Sequence, residues 1–156
     1  MTTTTDGDTL HWTDDFLLGY GPMDTVHQEF VDIVGRLQRA ADAELPALLD
    51  ALAAHAQSHF DQENRWMTES DFPARDCHID EHAAVMNSVQ EVRELVATGR
   101  YDVARSLADE LAKWFPGHAD YLDSALAHWM CSKRLGGKPV VIRRQIGASA
   151  HTENLA

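Results

Sequence analysis

The sequence predicts an all-α protein: an antiparallel up-down four-helix bundle with an N-terminal arm and a short C-terminal tail. Three observations carry this. Proline and glycine punctuate four long segments. Each segment repeats its apolar residues at helical spacing. The connections are short, which makes consecutive helices antiparallel neighbours. At 156 residues and 44% hydrophobic content, the chain is one domain of ordinary globular composition.

Residues 1–21 form the arm, which ends in Gly19, Gly21 and then Pro22. The first helical segment covers 22–41. The second covers 46–69, with Pro46 suited to a first helical turn. The third covers 76–98, with Asp76 as N-cap and Gly99 just past its end. The fourth covers 102–135, opened by Asp102 and stopped by Gly136-Gly137. The bundle thus spans 22–135, and 136–156 is a tail without helical period. At about 100° per residue, each apolar stripe contains a histidine. Met23, Val31 and Val34 surround His27, and Leu48, Leu52 and Trp66 surround His59. Val85, Val89 and Val96 surround His78, and Leu107, Leu111, Trp114 and Trp129 surround His118.

Charge is unevenly placed. Residues 1–132 hold 24 acids against eight Lys/Arg, a net of −16, and residues 133–156 hold five bases and one acid, a net of +4, which together give −12. An acidic body repels nucleic acid and anionic membrane, whereas the short basic tail reads as a solvated segment that could contact an acidic protein partner. No apolar run is long enough to span a bilayer, so no membrane insertion is expected. The opening MTTTTDGDTLHW lacks the basic and apolar regions of a secretory signal. Cys77 and Cys131 form no CxxC and differ by about eight residues in hairpin register, roughly 12 Å along the axis, so no disulfide is expected between them. A monomer in the reducing cytoplasm fits this pattern.

Nine histidines are many for such a chain. One histidine on an apolar stripe is ordinarily a satisfied core residue, but these come in register. His59 and Glu63 are i,i+4, as are His78 and His82, so each pair faces one way from adjacent turns. Around the turn at Arg100, His82 lies 18 residues before and His118 lies 18 after; His78 and Asp123 lie 22 before and 23 after. His27 lies about as far before the Glu44–Leu45 turn as His59 and Glu63 lie after it. All seven groups therefore share one slab of the bundle. Buried imidazoles and carboxylates are costly unless paired or bound to metal. Five imidazoles and two carboxylates exceed one four-coordinate zinc site and fit two metals. Imidazole suits iron, copper, zinc and nickel, and carboxylates favour harder ions. With two bridging carboxylates and a shared oxygen, about eleven of twelve octahedral positions are filled, which leaves one open for a small ligand.

At these residues the chain resembles the hemerythrins, in their bacterial single-domain form. The arm and first helix read W-x6-G-x4-D-x2-H as Trp12, Gly19, Asp24 and His27. The second segment reads HFxxExxxM as His59, Phe60, Glu63 and Met67; Phe72-Pro73 and then HxxxH, His78 and His82, come next. The fourth reads WxxxHxxxxD as Trp114, His118 and Asp123. The resemblance covers about residues 10–130. It implies a non-haem diiron centre of two iron ions with dioxygen as ligand. His78, His82 and His118 would hold one iron, His27 and His59 the other, which keeps the open position, and Glu63 and Asp123 would bridge. Phe60, Trp114, Phe115 and Ala119 match positions that wall the oxygen pocket. Alanine at 119, where the family often carries a larger aliphatic, implies a roomier pocket and faster autoxidation.

The implied activity is reversible dioxygen binding for storage, delivery or sensing, not catalysis. The alternative is a diiron enzyme with peroxidase, ferroxidase or nitric-oxide chemistry, or an iron-storage module. Ferritin-like enzymes need Glu-x-x-His on two helices, and this sequence contains no Glu-x-x-His. Asp123, five residues after His118, falls about 140° round a regular helix. A one-residue π-bulge between Ala112 and Asp123, near Pro116, would return Asp123, Leu126 and Met130 to the core face. His55, one turn before His59, is expected to be partly exposed beside the site and not a ligand. His11, His128, His151 and Asp120 are expected at the surface or in the tail.

Overall fold

The computed structural model describes residues 9–137, 139, 141 and 142. Its helices are α1 (Gly21–Arg39), α2 (Leu45–Glu69), α3 (Arg75–Ala97), α4 (Asp102–His118) and α5 (Ser124–Leu135). A π-helical turn, Ala119–Asp123, joins α4 to α5 into one long fourth helix. Short 3-10 turns at Asp14–Phe16 and Asp42–Glu44 lie in the arm and before α2. α1 packs on α2 and α4, and α3 on α2 and α4, which closes the four-helix bundle. No helix among the described residues is long and apolar enough to cross a membrane.

Local chemistry sets the helix ends. Pro22 and Pro46 occupy first-turn positions, where the missing N–H costs nothing. α3 ends in a Schellman motif: Gly99 at φ 95° bonds Val96 O through its N–H, and Arg100 N–H bonds Leu95 O. α2 ends the same way on Asp71, a non-glycine residue at φ 53°, with Phe72 N–H on Met67 O. Gly136 at φ 69° terminates α5. Two expected caps are displaced. Asp76 lies inside α3, which begins at Arg75, and Asp102 is itself the first residue of α4. Asp102 pairs with the Arg100 guanidinium.

The arm lies against the bundle. Both carboxylate oxygens of Asp24 accept arm amides, from Leu18 at 2.8 Å and Gly19 at 3.0 Å. Leu10 N–H donates to Gln38 Oε1 at 2.7 Å. Gly35 permits this approach, because a Cβ there would stand 2.7 Å from Leu10 O. Phe16 then meets Phe115 edge-on, with ring centroids 5.2 Å apart.

Apolar side chains fill two separate clusters. The larger holds Phe30, Val34, Leu52, Phe60, Leu111 and Phe115 among others. The smaller holds Tyr20, Met23, Trp66, Met67, Phe72, Leu126 and Met130. A slab of buried polar groups separates them.

Candidate metal centre

The polar slab contains every ligand position expected from the sequence. His27, His59, Glu63, His78, His82, His118 and Asp123 are all buried, and no residue among them exceeds 6% exposure. α1 supplies His27, α2 His59 and Glu63, α3 His78 and His82, α4 His118, and the π-turn Asp123.

The π-turn explains how Asp123 reaches the site. Pro116 has no N–H to continue the ladder, and Ser124 N–H bonds Ala119 O, five residues back. The extra residue rotates the downstream helix by one position. Asp123, Leu126 and Met130 turn inward, and Asp120 and Tyr121 turn out to solvent.

The two carboxylates sort the histidines into two sets. Glu63 Oε1 lies 3.3 Å from both His78 Nε2 and His82 Nε2. Its other oxygen, Oε2, lies 2.6 Å from His59 Nε2 and 3.7 Å from His27 Nε2. Asp123 Oδ1 lies 2.9 Å from His78 Nε2 and 3.2 Å from His118 Nε2, whereas Oδ2 lies 3.0 Å from His27 Nε2. Each carboxylate thus directs one oxygen at the set His78, His82 and His118, and the other at His27 and His59. Two groups of donor atoms, each within 4.8 Å of one another, result: Glu63, His78, His82, His118 and Asp123, and His27, His59 and Glu63.

These atoms face one another without hydrogen bonding. Apart from His59 Nε2 with Glu63 Oε2, the Nε2 atoms of His27, His78, His82 and His118, both Asp123 oxygens and Glu63 Oε1 have no hydrogen-bond partner among the described residues. Buried polar atoms without partners are rare in folded proteins and demand an explanation. Lone pairs that converge on shared points are what metal ions require. The donor set therefore fits two metal ions.

Electrostatics agree. Burial pushes the His27 imidazole pKa down, but the Asp123 and Glu63 carboxylates outweigh it and raise it to about 10. His78 rises to about 9 against the same burial. Burial pushes Glu63 and Asp123 up; for Asp123 so does the Glu63 charge. The surrounding histidines, His59 and His27 foremost, nonetheless hold Glu63 well below, and Asp123 below, the ordinary carboxylate range. Both carboxylates demand positive charge in the slab. Burial lowers the pKa of His82 despite Glu63.

An aromatic wall borders the site. Phe60 stacks on His82 at 4.1 Å between centroids, and Trp114 lies over His118 at 4.3 Å. Phe115 stands edge-on to His27 at 5.3 Å. Ala119 is buried in the π-turn. Phe30, not singled out from the sequence, touches Phe115 at 5.4 Å and His59 at 6.5 Å. Its spacing on α1 does not set it apart from an ordinary core residue.

Sequence reasoning also missed the partners behind the rings. His82 Nδ1–H donates to Asn64 Oδ1 at 2.8 Å, and His118 Nδ1–H donates to Glu81 Oε1 at 2.9 Å. Burial pushes the Glu81 pKa up, but hydrogen bonds from His118 and Trp114 bring it below the ordinary value. His55 stays outside the cluster, partly exposed, and donates through Nε2 to Glu29 Oε2 at 3.1 Å. Burial and the neighbouring His59 lower its pKa. His11, His128, Asp120 and Cys77 are exposed, and Cys131 is buried. His151 and most of the basic tail lie outside the described residues.

Comparison with known proteins agrees with this geometry. Residues 18–129 match the Hemerythrin HHE cation binding domain. A bacteriohemerythrin of Ralstonia nicotianae is 34% identical over 124 residues, which cover 80% of this chain and 90% of that protein. A bacteriohemerythrin of Stenotrophomonas maltophilia is 28% identical over 125 residues, 76% of this chain and 79% of its own. One from Aquifex aeolicus is 30% identical over 111 residues, 67% and 85% respectively. No solved structure matches significantly.

Proposed function

This chain belongs to the hemerythrin family, and from that premise we propose that it binds dioxygen reversibly at a centre of two iron ions. The observation that carries the reading is the division of the histidines, three against two, by the two oxygens of each carboxylate. His78, His82 and His118 would hold one ion and His27 and His59 the other, and Glu63 and Asp123 each offer one oxygen to either set. The smaller histidine set offers one donor fewer, which would leave room for one small molecule beside His27 and His59. When bound, a ferrous pair supplies the open coordination position and the two electrons that reversible capture of dioxygen requires.

The chain's own residues supply the rest. Phe60, Trp114, Phe115 and Ala119 present an apolar wall that keeps water from the open position, so that a captured ligand leaves by reversal and not by solvolysis. The set contains only two carboxylates, which makes it poorer in negative charge than ferritin-like enzyme sites. This favours binding over catalysis. On this reading the chain is a cytoplasmic monomer that stores, delivers or senses oxygen.

The test is a visible spectrum of purified, reduced protein before and after air is admitted, with iron counted per chain. Two irons and a new charge-transfer band that vanishes when oxygen is removed are expected. Direct passage to a stable oxidised form would retain the metal site but turn the reading to an enzyme or redox sensor. Absence of iron would refute it.

A further inference from the structure

Two donors from α4 converge on a single oxygen of α3. His118 Nδ1–H donates to Glu81 Oε1 at 2.9 Å, and Trp114 Nε1–H donates to the same atom at 2.6 Å. The two rings lie one turn apart with planes 30° from parallel, so one carboxylate holds both. On the other side, His82 leans on the neutral amide of Asn64. The Nδ1 atoms of His27, His59 and His78 have no hydrogen-bond partner among the described residues. Hydrogen-bond acceptors behind the rings are thus confined to the set His78, His82 and His118, and only His118 has an anionic one.

That difference has a chemical consequence. An acceptor at Nδ1 fixes the proton there, which leaves the lone pair on Nε2, and a negative acceptor makes that lone pair more basic. Resting on the diiron reading above, we propose that Glu81 is a positioning residue: its Oε1 locks His118 to the Trp114 indole and makes the three-histidine position the tighter of the two metal positions. Trp114 walls the ligand pocket, so the same atom fixes the wall against the ligand ring.

The experiment uses the full chain and its Glu81→Ala and Glu81→Gln variants, reloaded with ferrous iron under nitrogen. An excess of a chromogenic ferrous chelator then tracks iron release. The parent protein should release its iron in two equal steps. Glu81→Ala should accelerate the slower step roughly 10–100-fold and leave the faster step within about twofold. Glu81→Gln keeps an acceptor oxygen without the charge and should fall between. In the zinc-loaded protein, the His118 Nδ1 proton should exchange slowly with solvent and become fast in Glu81→Ala. Equal acceleration of both steps would overturn the proposal, because Glu81 would then merely hold the fold. No change in either step would overturn it as well. Uptake of fewer than two irons by the parent protein is a separate failure: it removes the diiron reading before any variant is compared.

Discussion

Gly35→Ala should loosen the arm while leaving α1 intact. Gly35 is an interior residue of α1, where alanine would ordinarily gain about 1 kcal/mol of helix stability. Here the new Cβ would stand 2.7 Å from Leu10 O and 3.9 Å from Leu10 C. An ordinary contact of about 3.4 Å or more demands that the arm withdraw by roughly 0.7 Å. The obstacle is backbone, so no side-chain rotation relieves it. Withdrawal sacrifices the Leu10 N–H to Gln38 Oε1 bond, 2.7 Å long, for roughly 0.5–1.5 kcal/mol. If Phe16 also lifted from Phe115, their edge contact would cost another ~0.5–1.5 kcal/mol.

The gain and the first loss nearly cancel, so global stability should change by less than about 1 kcal/mol. The local effect should be large. Hydrogen exchange at the Leu10 amide should accelerate while α1 amides keep their protection. Because Phe16 backs Phe115, and Phe115 faces His27, autoxidation of the iron-loaded protein should also quicken on the proposed function. Measurements of amide exchange, thermal midpoint and the rate of loss of the oxygenated spectrum check this. An arm protected as in the parent, with stability raised by the full helix increment, would refute the reasoning.

The same geometry sets three further outcomes. In the metal-free protein, His27 and His78 have folded-state pKa values of about 10 and about 9 against 6.5 unfolded. Their stabilisation is complete below pH 6.5 and lost as pH rises through 9 to 10; Glu63 and Asp123, held low, lose theirs as the medium becomes acid. Urea midpoints against pH should therefore fall on both flanks of a plateau, and a flat alkaline flank would contradict the carboxylate–imidazole pairing. Deletion of Tyr121, an 80% exposed residue of the π-turn, should restore a regular helix in which Asp123 falls four residues after His118, so that Asp123, Leu126 and Met130 stay on the core face and metal binding is retained; loss of metal binding would deny that the π-turn serves to absorb one extra residue. Ala119→Leu should slow autoxidation at a stability cost of about 1–3 kcal/mol from overpacking, and an unchanged rate would remove Ala119 from the pocket wall.

Much of this was legible in the sequence because helix period and hairpin register are geometric. His27, His59, His78 and His118 each lie within an apolar stripe, and His82 and His118 lie equally far from the turn at Arg100. The spacing of Asp123, five residues after His118, carries the π-turn with it, because no regular helix brings both inward. Glu81 was not legible. It adjoins His82 but lies off the stripe, and its role arises from where Trp114 and His118 point across the gap between α3 and α4. Gly35 gives no sign in sequence that an arm passes over it. The caps at Asp76 and Asp102 were misplaced because backbone and guanidinium partners competed: Phe72 O accepts Arg75 N–H, and Arg100 takes the Asp102 carboxylate.

The position of the centre within the core has a mechanical consequence. His27, His59 and Glu63 come from the α1–α2 hairpin; His78, His82, His118 and Asp123 come from α3 and the fourth helix. Each carboxylate reaches across this division, Glu63 to His78 and His82, and Asp123 to His27. The apolar clusters on either side of the slab are each formed by residues of both halves, so apolar packing joins the halves above and below it. Without metal, however, the slab between them holds two carboxylates and five imidazoles with few hydrogen bonds, and protons must compensate the buried charge. Metal ions replace those protons and join the halves at the level where apolar packing is interrupted. Loading should therefore release protons, tighten as pH rises, and raise stability most where α1 and α2 meet α3 and the π-turn.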